Sequence, residues 1–242
     1  MRVGSVEPLR VLAIGAHPDD LEILCAGTLA RYAAEGHDVT MAHVCTGHLG
    51  HYAMPPEVLA PLREREAQAA GALIGATVLS AGLPDVGVHG DSAEQRLVLV
   101  DLIRQARPDV ILTHYPEDYM PDHVAVSHLV FDASFAASLP HLVTAHPFHP
   151  KVAPLWHFDT LAGTGFEPEE YVDVTACMDT KRRMLAQHQS QLIWLKEHDG
   201  IDVIEFMEAL ARVRGLQAGV RYAEGFRRVR TWPRMTPSRL LP

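Results

Sequence analysis

The 242-residue chain is 48% hydrophobic and carries 30 Asp and Glu against 21 Lys and Arg, a formal charge of −9. That length and apolar supply fit one large α/β core over residues 1–242, and the negative balance repels nucleic-acid phosphates and anionic membrane surfaces, so the expected partner is a small molecule, with no nucleic acid and no membrane. No stretch approaches the roughly 20 apolar residues of a membrane span. The early apolar run over residues 11–16 is too short for a signal-peptide core, and Cys25, Cys45 and Cys177 lie far apart without C-x-x-C spacing, so buried thiols in a reducing cytoplasm are expected.

Residues 9–16 (LRVLAIGA) form a continuous apolar run, as for a strand buried on both faces, and 21–36 follow with helical spacing. A second strand is expected over 38–45, a helix over 56–75 ended by Gly75, and a third strand over 77–81. A helix over 93–106 is stopped by Pro108 just before a fourth strand at 110–113. This alternation predicts a Rossmann-like, mostly parallel sheet with helices on both faces and right-handed crossovers. Its ligand crevice should lie at the carboxyl ends of the strands. The regular part runs over about 8–140 and a less regular part over 141–242: a helix from 123 to 138, a strand at 155–160, amphipathic helices at 180–194 and 203–216, and a Pro-rich tail in the last ten residues.

Two constellations fall at expected strand ends. His17-Pro18-Asp19-Asp20 follows the first strand; Pro18 biases His17 toward extended backbone, so the two acids that follow point differently. One can bind a metal while its neighbour accepts a proton, the division that hydrolytic zinc sites use. The plain alternative is an acid capping the next helix. A dinucleotide site is disfavoured, because the turn lacks G-x-G-x-x-G and sets carboxylates where a pyrophosphate would approach. The second constellation, Tyr119-Met120-Pro121-Asp122-His123, follows Thr113-His114. His123 can supply a third ligand, leaving open positions for water and substrate, with Asp122 orienting a ligand. His128, five residues on, is turned away from His123 on a helix and reads as surface or packing.

Ala16-His17-Pro18-Asp19-Asp20 and Met120-Pro121-Asp122-His123 resemble the A-H-P-D-D and H-P-D-H motifs of the PIG-L/LmbE-like deacetylase family. Thr46-x-x-x-Gly50, Arg63-x-x-Glu66, Leu83-Pro84-Asp85 and His188-x-Ser190-Gln191 extend the resemblance over most of the chain. It implies zinc on His17, Asp20 and His123, Asp19 as general base, and hydrolytic removal of an acetyl group from an N-acetylated amino sugar or related small molecule by zinc-activated water. Arg63 and Asp85 match substrate-binding positions of such relatives, which often form homo-oligomers; the Pro-rich stretch over 141–156 is the expected face for a neighbour. One departure stands out: Met120 replaces the family histidine that polarises the carbonyl. A lost donor of that kind costs about 10²–10³ in rate, and Tyr119, His114 and His188 are the candidates to replace it. Two rival readings remain beside the deacetylase: a zinc amidase acting on a different amide such as a thiol S-conjugate, and a non-catalytic metal- or sugar-binding relative. A His/His/Asp site also accepts iron, cobalt or manganese.

Overall fold

The computed structural model describes residues 7–235 and 241–242; of the expected C-terminal tail, 236–240 lie outside the described residues. Seven strands, β1 (Arg10–Gly15), β2 (Asp38–Cys45), β3 (Thr77–Leu83), β4 (Val110–Thr113), β5 (Leu155–Phe158), β6 (Glu170–Asp173) and β7 (Ala223–Arg228), make one sheet in the order β3-β2-β1-β4-β5-β7-β6. Strands β1 to β5 are parallel, and β7 runs antiparallel to both of its neighbours. The helices are α1 (Asp20–Leu24), α2 (Ala26–Ala34), α3 (Pro56–Ala72), α4 (Ala93–Ala106), α5 (Pro121–Ala136), α6 (Met178–Leu185), α7 (Gln189–His198) and α8 (Val203–Ala218).

The period-two alternation of the strands sends side chains into two cores. Val11, Ala13, Val110 and Leu112 pack with Leu24 of α1, Leu29 of α2, Met184 of α6 and Met207 of α8. Leu12, Ile14 and Ile111 pack on the other face with Leu99 and Ile103 of α4 and Val126 and Leu129 of α5. From β1 the chain moves outward to β2 and β3, then returns to lay β4 against the opposite edge of β1. The carboxyl ends of β1 and β4 therefore flank the reversal point, where a crevice opens in such sheets.

Three expectations need correction. The helix over 21–36 is two helices broken at Cys25 (φ −143°), and the one over 180–194 is broken around His188. Each second piece is capped by a distant glutamate. Glu224 of β7 accepts the N–H groups of Gly27 and Thr28 at 2.9 and 2.7 Å and is paired with the buried Lys181. Glu66 of α3 accepts the N–H and hydroxyl of Ser190 at 2.8 and 2.6 Å. Such caps satisfy the free N–H groups of a new helix start, and no local pattern announces them. Strands β6 and β7 were not expected; β7 reads AEGFRR and becomes a strand through its pairing with β5 and β6. The stretch after α5 is anchored on its own α4. Buried Arg104 donates to the carbonyls of Ala137, Leu139 and Leu142 and to Thr144 Oγ1, and His149 donates to Pro108 O. Cys25 and Cys45 are buried as expected, whereas Cys177 is only partly so; all three are free.

Candidate metal centre and active-site cleft

β1 ends at Gly15 because the chain must turn at once into α1: a Cβ there would meet Asp20 Cβ and the Leu21 side chain at 3.2 Å. The turn places Asp19 at φ +124°, a conformation costly for any residue with a side chain. Asp20 opens α1, and its Oδ2 accepts the His17 N–H at 2.7 Å. From β4, the loop 114–120 leads into α5, which starts with Pro121 and carries Asp122 and His123 in its first turn.

The two loops meet. Ligand atoms of His17, Asp20 and His123 all lie within 4.8 Å of one another. Asp20 Oδ2 is 3.5 Å from His17 Nδ1, and Asp20 Oδ1 is 3.4 Å from His123 Nε2. The far nitrogens of both imidazoles are held by carboxylates: His17 Nε2 bonds Asp122 at 3.0 Å, and His123 Nδ1 bonds Asp118 at 3.0 Å. Each carboxylate is itself fixed by a backbone N–H, of Val86 on Asp122 and of Met120 on Asp118. This carboxylate–imidazole pairing fixes the tautomer and leaves the inner nitrogen free for a cation. His123 Nε2 is buried and has no hydrogen-bond partner. An orphaned nitrogen of that kind is costly unless a ligand completes it, so the residues fit a divalent metal. Two further sets, His17 with Cys45 and Asp85, and His114 with Asp118 and His123, also cluster. Asp85 and Asp118 are already engaged, Asp85 on the N–H groups of Gly47 and Leu49 and Asp118 on His123 and Met120.

Electrostatics point the same way. Burial opposes charge on both rings, yet Asp122 and Asp20 hold His17 well above the ordinary histidine value, and Asp20 and Asp118 push His123 up to about 9. Burial would raise Asp20, but His123 outweighs it and holds its carboxyl well below the usual range. An environment that draws a proton to two imidazoles attracts a metal cation equally. Asp19 differs: burial, reinforced by Asp20 and opposed by Arg63, raises it to about 6.

Asp19, Asp20 and His17 line a cleft of about 400 Å³ together with Arg63, Asp85, Asp122 and Met120. A larger cavity of about 700 Å³ runs along α5 past His128 and His157, and none of these residues lines it. Arg63 is buried; its guanidinium donates to Pro18 O and Gly47 O and pairs with Asp19 Oδ1 at 3.1 Å. Asp85, which binds Gly47 and Leu49, holds the same loop from the other side. The three candidates to stand in for the family histidine fare differently. His114 and His188 are fully buried and do not line the cleft. His114 Nε2 accepts the Ala16 N–H at 2.8 Å, and burial lowers its pKa to about 4, so it serves the turn as a neutral acceptor. His188 sits 3.3 Å from the buried Glu22. Tyr119 is 57% exposed and also stands outside the cleft lining. The sequence reading missed Asp118; its only signal was a carboxylate five residues before His123 in the loop that presents it.

Comparison with known proteins places the chain among relatives. Residues 12–134 match the PIG-L family model, described as GlcNAc-PI de-N-acetylase. The chain is 31% identical over 179 residues to a 1D-myo-inositol 2-acetamido-2-deoxy-alpha-D-glucopyranoside deacetylase of Thermobispora bispora, a match covering 61% of this chain and only 58% of that protein. It is 27% identical over 234 residues to the diacetylchitobiose deacetylase of Thermococcus kodakarensis, covering 90% of this chain and 82% of that protein. Among solved structures, the conserved protein TT1542 from Thermus thermophilus is 31% identical with a TM-score of 0.78, over 96% of this chain and 100% of the other. The matched segment runs from β1 through α5 and carries both loops of the cleft, and on that footing this chain belongs to the PIG-L family.

Proposed function

We propose that the chain is a zinc-dependent N-deacetylase that hydrolyses the acetamide of an N-acetylated amino sugar or related small molecule, giving acetate and a free amine. The observation that carries this reading is the convergence of His17, Asp20 and His123 within ligating distance, beside a separately held Asp19 in the same cleft. Named deacetylases among its relatives support it. His17, Asp20 and His123 would hold the metal, with Asp122 and Asp118 fixing the two imidazoles. When bound, a divalent ion supplies positive charge that acidifies a water and polarises the acetyl carbonyl.

The chain's own residues do the rest. Asp19, raised to about 6, is ionised at neutral pH yet basic enough to take a proton from the attacking water and return it to the departing amine. Arg63 holds the Asp19 carboxylate in place and limits the rise of its pKa. Met120 brings a thioether to the cleft where the family motif has histidine, and a thioether donates no hydrogen bond to a developing oxyanion. A low turnover number is therefore expected, in line with the loss of one oxyanion donor.

The test is acetate release from 2-acetamido-2-deoxyglucosides by the zinc-loaded protein, before and after chelation. Loss of activity on chelation and its return with zinc are expected. Stoichiometric metal binding without acetate release across a panel of N-acetylated amines would overturn the reading in favour of a binding protein.

A further inference from the structure

The walls of the cleft are unlike its floor. Leu49 from the β2–α3 loop, Val86 from the β3–α4 loop, Met120 before α5, Leu161 from the turn after β5 and Leu195 of α7 all line it. Most polar groups between them are committed within the protein, with Arg63 Nε left without a partner. Asp85 binds Gly47 and Leu49, Asp122 binds His17 and Val86, Gln191 donates to Gly50 O, and Arg63 serves Pro18, Gly47 and Asp19. A site that selects a hydroxyl-rich ring presents unengaged donors and acceptors to it; these walls present hydrocarbon.

Val86 makes the point independently. Its φ is +62° and it is 77% exposed. A β-branched residue in the left-handed region is an outlier, because asparagine or glycine relieves the clash between side chain and backbone. Solvent gives no return for an exposed valine. Local conformation gives no reason for an isopropyl group there, and its place in the cleft lining sets that group against whatever the cleft binds.

From these walls we infer that the substrate is an N-acetylated amino sugar bearing an apolar aglycone, which lies against Leu49, Val86, Leu161 and Leu195 while the acetamide sits on the floor. The inference rests on the deacetylase reading for the acetamide and adds the class of leaving amine. Leu49, 52% exposed, and Val86 stand at the mouth, so the group they meet reaches outward from the metal centre.

Binding and turnover are measured on the zinc-loaded protein with methyl and hexyl 2-acetamido-2-deoxyglucosides and with N-hexanoylglucosamine. The hexyl glycoside should bind and turn over about tenfold or more better than the methyl glycoside, because burial of even part of its additional hydrocarbon is favourable. Val86→Asn should keep or raise the thermal midpoint, because it relieves strain, while cutting that preference about threefold or more; Leu195→Asn should cut it as well. Equal affinity for methyl and hexyl glycosides overturns the inference, as does a gain confined to N-hexanoylglucosamine, which would put the apolar group on the acyl side. Acetate release without hexyl preference sinks this inference alone. Tighter calorimetric binding of the hexyl glycoside with no acetate released supports the apolar site and sinks the deacetylase.

Discussion

Two of the buried charge clusters in this fold differ in one respect. At the end of α1 and α2 away from the cleft, Glu224 accepts from Gly27 N, Thr28 N and Lys181 Nζ, and is fully partnered. At the cleft floor, His123 Nε2 has no partner, and Glu22 and His188 behind Asp19 also carry buried atoms without hydrogen bonds. The floor additionally holds Asp19 at φ +124°. Burial and charge are common to both, so neither marks function; the unpaired ligand atom and the strained backbone do. A satisfied polar cluster specifies the fold, and an unsatisfied one is completed by something the chain alone does not supply.

That contrast is broken most directly by substitutions that should move one readout and leave the other still. Asp19→Asn is expected to lower the rate about 10²–10⁴-fold, the range for loss of a general base, with metal content and thermal midpoint unchanged. Hydrolysis at the parental rate would remove Asp19 from the chemistry. Glu224→Ala should do the reverse. It leaves Lys181 buried without its partner and two helix N–H groups uncapped, at a cost of about 3–5 kcal/mol, or roughly 10 °C in thermal midpoint for a chain of this size. The rate per folded molecule should hold, and a selective loss of activity at full stability would erase the distinction between brace and floor.

Asp118→Asn sits between these extremes, because Asp118 touches no reacting group yet sets the His123 tautomer. A loss of about 10–100-fold in metal affinity is expected, as for other removals of a carboxylate behind a ligating imidazole, measured by competition with a chelator. Unchanged metal affinity would show that His123 is oriented by packing alone, a role open to His114, whose ring stacks on it at 3.9 Å between centroids.

The same division governs what could be read from residues. The strands over 38–45 and 110–113 and the helix over 93–106 were legible because local hydrophobic period and a Pro stop coincide with the real elements. The two loops could be picked out because a strand end and a metal-competent cluster coincide twice, and sheet topology brings the two ends together; the choice of Asp20 over Asp19 as ligand came from the family resemblance alone. The breaks at Cys25 and His188 were not legible, since Glu224 and Glu66 impose them from far along the chain. Nor was the burial of His114 and His188, which depends on what packs over them. Arg63 matches a substrate-binding position by resemblance, but its burial and its tie between Asp19 and the 46–50 loop depend on tertiary contacts that the sequence does not show. The apolar walls come from five separate segments, and of Leu49, Val86, Met120, Leu161 and Leu195 only Met120 is a motif position.

The smallest expected effect tests the partnered side of the contrast with a group that also lies next to the site. His157 on β5 is buried, donates from Nδ1 to His114 O at 2.6 Å, and is held by burial near a pKa of about 4, against an ordinary value of 6.5. Its folded-state pKa is depressed, so between pH 6.5 and 4 the unfolded chain binds the extra proton. The stability owed to neutral His157 is complete above 6.5 and is lost as pH falls toward 4, a change of about 2–3 kcal/mol. Denaturant midpoints measured at pH 7 and pH 4.5 should therefore converge in a His157→Asn variant relative to the parent, while kcat at pH 7 stays within about twofold, as for a group outside the reacting set. If the pH dependence of stability is identical in the two proteins, His157 is not the buried neutral histidine its hydrogen bond describes, and a partnered group beside the floor would have to be counted with the floor itself.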